Sequence, residues 1–170
     1  MNPLVNLAKS AVVNYIKDNI VIIPSKDLPK EFFEKKAGIF VTIEKDKELR
    51  GCIGTYLPTR LNIAEEIIYN AVAAATEDYR FGPIQPAELA YLSYTVYILS
   101  EPESVKDVKT LNPKKFGIIV KSKEKSGLLL PDLDGVDTVE QQIAICCQKG
   151  VIDPDQEETL IYKFTVEKYQ

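Results

Sequence analysis

The sequence predicts an α+β fold: a mixed, largely antiparallel sheet with helices packed on it. Three observations lead there. Stretches with apolar residues at three- and four-residue steps alternate with stretches of period two. The period-two stretches come mostly in pairs joined by short polar turns, which marks hairpins rather than parallel crossovers. The chain has 170 residues, of which 45% are apolar and 27% charged. That suits one domain, 1–170, or two lobes sharing one core.

The elements follow in order. Leu4, Leu7, Ala8, Ala11, Val12, Tyr15 and Ile16 form one helical face, with Pro3 suited to the first turn. Pro24 and Pro29 punctuate the next stretch, and Phe32 and Phe33 predict a short helix or turn that buries aromatics. Residues 38–43 and 49–56 read as two strands of a hairpin around the charged turn 44–48. Gly51 and Gly54 interrupt the second strand and predict a bulge or close approach by another group. Asn62 and Glu65 follow capping-box logic at the start of a helix whose small-sided run Ala71 to Ala75 predicts tight packing on the sheet. Leu92, Tyr94, Val96 and Ile98 alternate as a strand, and 116–120 with 127–130 form a second pair. Thr138 and Gln141 open a helix that runs through Cys147 and ends at Gly150. A final strand covers 160–166. Both halves contain a hairpin, a helix and a strand, without a residue-level repeat.

Composition removes several chemistries. The chain contains no His, which excludes Ser-His, Cys-His and His-ligated metal sites built from this chain alone. Its three cysteines, Cys52, Cys146 and Cys147, lack a C-x-x-C spacing, which argues against a disulfide framework or a self-contained thiolate metal site. No metal and no cofactor are expected. The net charge of −4 and a pI of about 5.0 give no basic footprint for nucleic acid. No run approaches the roughly 18 apolar residues of a membrane span. The opening residues have no signal-peptide pattern, so a cytoplasmic protein without a membrane partner is the expectation.

The densest constellation is Leu49-Arg50-Gly51-Cys52-Ile53-Gly54-Thr55. Glycines admit a close neighbour and can leave amides open to an anion. Arg50 beside the thiol would favour a thiolate. Cys52 can equally be a small hydrophobe on a strand. The only arginines, Arg50, Arg60 and Arg80, bracket this motif, while the other 18 basic residues are lysines. Arginine grips carboxylate and phosphate through two parallel bonds, so a shared anion pocket is one reading. The other has Arg80 paired with Asp78 or Glu77 and Arg60 solvated. Asp78 and Arg80 at i and i+2 cannot share one helix face. The chain is therefore expected to leave the helix there and turn both groups toward one loop. Asp78 would orient Arg50 or Arg80, act as a base, or serve only as an ion-pair partner.

Asp132, Asp134, Gly135 and Asp137 suggest part of a calcium loop, but a turn into the Thr138 cap explains them better. Residues 105–125 hold seven lysines against Asp107 and Glu124, a net charge of +5. That is either a solvated hairpin or a docking face for an acidic partner.

These residues resemble a known family. The segment 38–43, the heptapeptide 49–55, Ala71 to Ala75 with Asp78-x-Arg80-Phe81, and Gly127 to Pro131 are similar to the AMMECR domain. Pro58-Thr59, Asn62 to Ile67 and Leu133 to Gln142 resemble its prokaryotic branch, AmmeMemoRadiSam system protein A. The resemblance covers nearly the whole chain. It implies an AMMECR-like α+β fold with a larger and a smaller lobe and the Cys motif near their junction. It also implies two partners: a Memo-type protein resembling extradiol dioxygenases, and a radical SAM enzyme. Some relatives carry a fused Memo-like part, whereas Met1 and the immediate helix suggest a freestanding form. The chain departs from the family at Tyr97, where an acidic residue is common, at Gln148 to Val151, and at Phe116, where many eukaryotic members have His.

The leading expectation is an accessory component of such a three-part modification system. It would bind a small acidic ligand around Arg50, Gly51, Cys52, Gly54, Thr55, Asp78 and Arg80. Two alternatives stand beside it. One is an enzyme with Cys52 as the catalytic thiol, a transferase or hydrolase. The other is a pure protein-interaction module using the lysine-rich face.

Overall fold

The structure, a computed structural model, describes residues 2–170. It contains two compact units. The first runs to Leu99 and takes back Glu167–Gln170; the second is Ser100–Val166.

In the first unit, α1 (Pro3–Asp18) begins with Pro3 at its first position, and the Asn2 side chain accepts the Leu4 N–H at 2.9 Å. Asn19 ends it in the left-handed conformation. The short α2 (Glu31–Glu34) buries Phe32. β1 (Ile39–Lys45) and β2 (Glu48–Thr55) form the first hairpin, and both turn residues, Asp46 and Lys47, have positive φ. The hairpin turn of this hand matches the right-handed twist of the strands. α3 (Ile63–Thr76) starts at Asn62, whose side chain accepts the Glu65 N–H at 3.0 Å. β3 (Leu92–Leu99) follows a 3-10 turn at Pro86–Tyr91. The sheet order is β2-β1-β3-β8, where β8 is Val166–Tyr169, with β1 antiparallel to β2 and to β3.

Period two explains the core. Ile39, Val41 and Ile43 of β1 and Tyr94, Val96 and Ile98 of β3 point to one face and pack with α1 and α3. Ala71, Ala74 and Ala75 let α3 lie close against that face, as their small side chains predict.

The second unit holds β4 (Glu103–Ser104), β5 (Gly117–Ser122), β6 (Lys125–Leu129), α4 (Val139–Gly150) and β7 (Leu160–Phe164), with sheet order β4-β7-β5-β6. Ile118, Val120, Leu129, Cys146 and Cys147 anchor its core. Cys146 and Cys147 are thus packing residues, and burial pushes the Cys146 thiol up to about 12. Thr138 and Gln141 make a full capping box at the start of α4.

Two details sharpen the sequence expectation. α4 ends at Gly150 as expected, and Val151 takes the left-handed cap with φ 53°. Gly150 is small because a Cβ there would come within 2.8–2.9 Å of the backbone of Ser126 and Gly127. The helix approaches β6 at that point, so the cap moves one residue on and falls to a β-branched residue, at a cost of about 1 kcal/mol. The expected final strand is also two strands. β7 ends at Phe164, and β8 (Val166–Tyr169) belongs to the first sheet. Thr165 breaks the run by pairing with Ser100: Ser100 N–H donates to Thr165 O, and Thr165 N–H to Ser100 Oγ, both at 2.9 Å.

Candidate functional site

The heptapeptide 49–55 lies along β2, the edge strand of the first sheet. The ladder to β1 slips at Arg50: Ile43 faces Gly51 while Glu44 faces Leu49. A bulge bends a strand and re-aims the extra side chain. Here it sends the Arg50 guanidinium to Glu88, with Nε on Oε1 at 2.9 Å and Nη2 on Oε2 at 3.0 Å. The same guanidinium donates to the carbonyls of Gly82 (3.1 Å) and Pro83 (3.3 Å). Chiefly through Arg50, Glu88 is held well below the usual carboxylate range, at about 2. Lys45 adds a third cation contact at 3.2 Å. Arg50 therefore staples the 82–88 segment to the sheet.

Gly51 meets helix α3. A Cβ there would run into the carbonyl oxygen of Ala74, so the glycine sets the helix-to-strand distance. Thr55 Oγ1 donates to Glu66 at 2.9 Å. At Gly54 the Phe40 side chain lies against the bare backbone.

Asp78 lies just beyond α3, where the chain has left the helix. Its Oδ2 accepts the Cys52 N–H at 2.9 Å. The same carboxylate grips Arg80 through Nε on Oδ1 (2.9 Å) and Nη2 on Oδ2 (2.7 Å). The Arg80 side chain pulls the Asp78 carboxyl down to about 2, with the Cys52 amide helping against burial. Asp78 in turn raises the Arg80 guanidinium above its ordinary value. The two arginines are thus held by different carboxylates, Arg50 by Glu88 and Arg80 by Asp78. Arg80 remains 44% exposed, and its neighbours Tyr79 and Phe81 are 95% and 37% exposed. Arg60 stands elsewhere, its guanidinium stacked 3.7 Å from the Tyr69 ring centre.

The Cys52 thiol is half-buried. Thr42, directly opposite on β1, donates its hydroxyl to Sγ at 3.2 Å. The Tyr97 phenol of β3 is pushed up by burial and by its neighbours Cys52 and Glu44, with Thr42 pulling the other way. Thr42 faces Cys52 on β2 and Thr95 on β3, and Tyr97 follows two residues further along β3, opposite Phe40.

Three carboxylate and hydroxyl roles were not singled out from the sequence. Glu66 is 1% exposed. It accepts four hydrogen bonds, from the Thr55 and Thr59 hydroxyls and the Thr59 and Arg60 amides, at 2.7–2.9 Å. Burial raises its carboxyl, but the Thr59, Thr55 and Arg60 donors outweigh that and leave it lowered. Nothing in helical periodicity distinguishes it from Glu65. Glu88 does leave a signal: in Gln85-Pro86-x-Glu88 its Oε2 accepts the Gln85 N–H at 2.8 Å, the carboxylate half of a capping box. Thr42 becomes meaningful only through strand register.

The AMMECR1 family profile matches residues 5–169. This chain belongs to the AMMECR1 family. An AMMECR1 relative from Thermotoga maritima, described only as "Protein", is 49% identical over 99% of this chain and 98% of its own length. Protein CA_C1420 of Clostridium acetobutylicum is 42% identical over 99% of this chain, which spans 36% of that longer protein. The crystal structure of uncharacterized protein PH0010 from Pyrococcus horikoshii superposes with a TM-score of 0.90 at 35% identity, covering 97% of this chain and 88% of that one. The α+β architecture expected of an AMMECR1 domain is the one observed. No helix among the described residues is long and apolar enough to cross a membrane.

Proposed function

We propose that the chain is an accessory binding module that presents the loop 78–82 to a partner, with Arg80 as the contact for an acidic group. The carrying observation is the state of that loop. Asp78 fixes one edge of the Arg80 guanidinium, and 44% of the side chain stays open. Exposed Tyr79 and Phe81 flank it. Arginine and aromatic residues on a rigid support are the usual anchors of interfaces. Arg50 serves this arrangement indirectly, by holding the segment that follows the loop. The acidic group can belong to a metabolite or to a modified chain. The partners we assign are the Memo-type and radical SAM proteins that the family resemblance implies, which would supply the metal and radical chemistry.

The test is co-purification of the tagged chain with those two proteins from the same genome. Wild type should retain at least one of them. Arg80→Glu and Tyr79→Ala should release it while leaving the circular dichroism spectrum unchanged. Failure of wild type to retain either protein, or retention by Arg80→Glu, overturns the reading.

A second reading rests on the Thr42 hydroxyl at Cys52. That contact orients the half-buried sulfur at the sheet edge. On this reading the chain is a thiol-dependent transferase or hydrolase, and Cys52→Ser would abolish turnover in a screen of activated acyl substrates.

A further inference from the structure

We propose that the first unit carries a separate binding site for a free aliphatic α-amino acid, at the cavity between α1, α2 and β8. This goes beyond the partner-binding reading and shares no residue with it.

The cavity has a volume of about 210 Å³. That gives room for a small aliphatic side chain, with the charged head of the ligand at the open mouth. Phe32, Ile63 and Ile98 supply an apolar floor, all of them buried. The remaining wall is ionic. Glu31, Lys35, Glu167 and Tyr169 line it. Lys35 Nζ stands 3.5 Å from Glu167 Oε1, at the long limit for a hydrogen bond. The Tyr169 hydroxyl donates to the other Glu167 oxygen at 2.6 Å and holds that carboxylate in place. The Lys35 backbone is fixed at both ends: its N–H donates to Glu31 O at 3.0 Å, and its carbonyl accepts from Ile63 N at 2.9 Å.

The charges select the ligand. Among the described residues, one ammonium and two carboxylates border an apolar floor. A simple anion would meet Glu31 and Glu167, and a simple cation would meet Lys35. A zwitterion whose charges sit on neighbouring carbons satisfies both, its carboxylate on Lys35 and its ammonium on Glu167 and Glu31. Its aliphatic side chain then covers Phe32, Ile63 and Ile98. Lysine has three donors and a carboxylate about four acceptor sites, so the Lys35–Glu167 contact leaves capacity on both.

The experiment uses the full chain and three probes of one shape: L-leucine, 4-methylpentanoate and 3-methylbutylamine. Amide chemical shifts and the thermal midpoint are followed during titration. Leucine should shift residues 31–35, 63, 98 and 167–169 and raise the midpoint. Each half-charged analogue should bind at least about tenfold more weakly, the loss of one charge-assisted contact. Lys35→Gln and Glu167→Gln, both at exposed side chains, should cost about as much without altering the unliganded spectrum elsewhere. No shifts with any probe, or equal binding of leucine and 4-methylpentanoate, would overturn the proposal. Neither variant touches Arg80 or Cys52, so this outcome is independent of the co-purification result.

Discussion

Asp78→Asn tests the link between Arg80 and the motif most directly. The amide keeps an oxygen for the Cys52 N–H and the shape of the side chain, so the substitution removes mainly the charge. In the folded chain the Asp78 carboxyl lies at about 2, against an ordinary value of 3.8. A depressed carboxylate stabilises the fold above its unfolded value and loses that contribution as pH falls through its folded value. At 1.36 kcal/mol per unit, the contribution is about 2 kcal/mol at pH 7 and about half that at pH 3. Part of it is screened through the exposed Arg80, so these are upper figures. Urea denaturation of both proteins at pH 7 and pH 3 reads the difference. The variant should be less stable by about 2 kcal/mol at pH 7 and the gap should narrow at pH 3. Glu88, also held at about 2, is present in both proteins and cancels. A gap of the same size at both pH values, or none at pH 7, would refute the ionised Asp78–Arg80 pair as the lock.

Other outcomes follow from the same contacts. Gly51→Ala forces a methyl into the Ala74 carbonyl and should cost about 3 kcal/mol, the upper end for overpacking, because backbone cannot swing aside; urea midpoints measure it. Glu66→Leu leaves the amides of Thr59 and Arg60 without their acceptor and should cost about 3 kcal/mol or more. Glu66→Gln should recover most of this, since its oxygen can serve the two amides while its NH₂ donates to the two threonine hydroxyls. Because the Glu66 carboxyl is lowered from 4.5, its contribution is full above that value and fades on acidification, so Glu66→Gln should flatten the acid limb of stability against pH. Iodoacetamide should label half-buried Cys52 well before Cys146, which is buried and pushed up to about 12, and peptide mass spectrometry resolves the two.

Much of the fold was legible because local rules decide it. The Asn62 and Thr138 caps, the Pro3 start and the two hairpins each depend on a few adjacent residues. Gly51 announced a close approach, though only the helix register identifies Ala74 as the neighbour. Arg50, Cys52 and Asp78 were visible as a constellation. The Asp78–Arg80 pair was among the sequence readings, but the partner of Arg50 was not, because Glu88 lies 38 residues further along the chain. The bulge at Arg50 turns it toward Glu88 and leaves Asp78 to Arg80. Glu66 was hidden for a related reason: its four donors come from residues before the helix, and helix periodicity treats it as one more polar position. Thr165 was missed because its neighbours continue the alternation on both sides of the break.

The Asp78 carboxylate has one more effect, on solubility. β2 closes one side of its sheet, and the outward Cys52 amide is covered by a side chain and not by another strand. A carboxylate oxygen ends the ladder there, because it offers no backbone for the next chain to pair with. The central amide of the motif is kept from recruiting a second copy by one side chain. Asp78→Ala takes the whole side chain away from the Cys52 amide, so that variant should self-associate through β2 where Asp78→Asn does not.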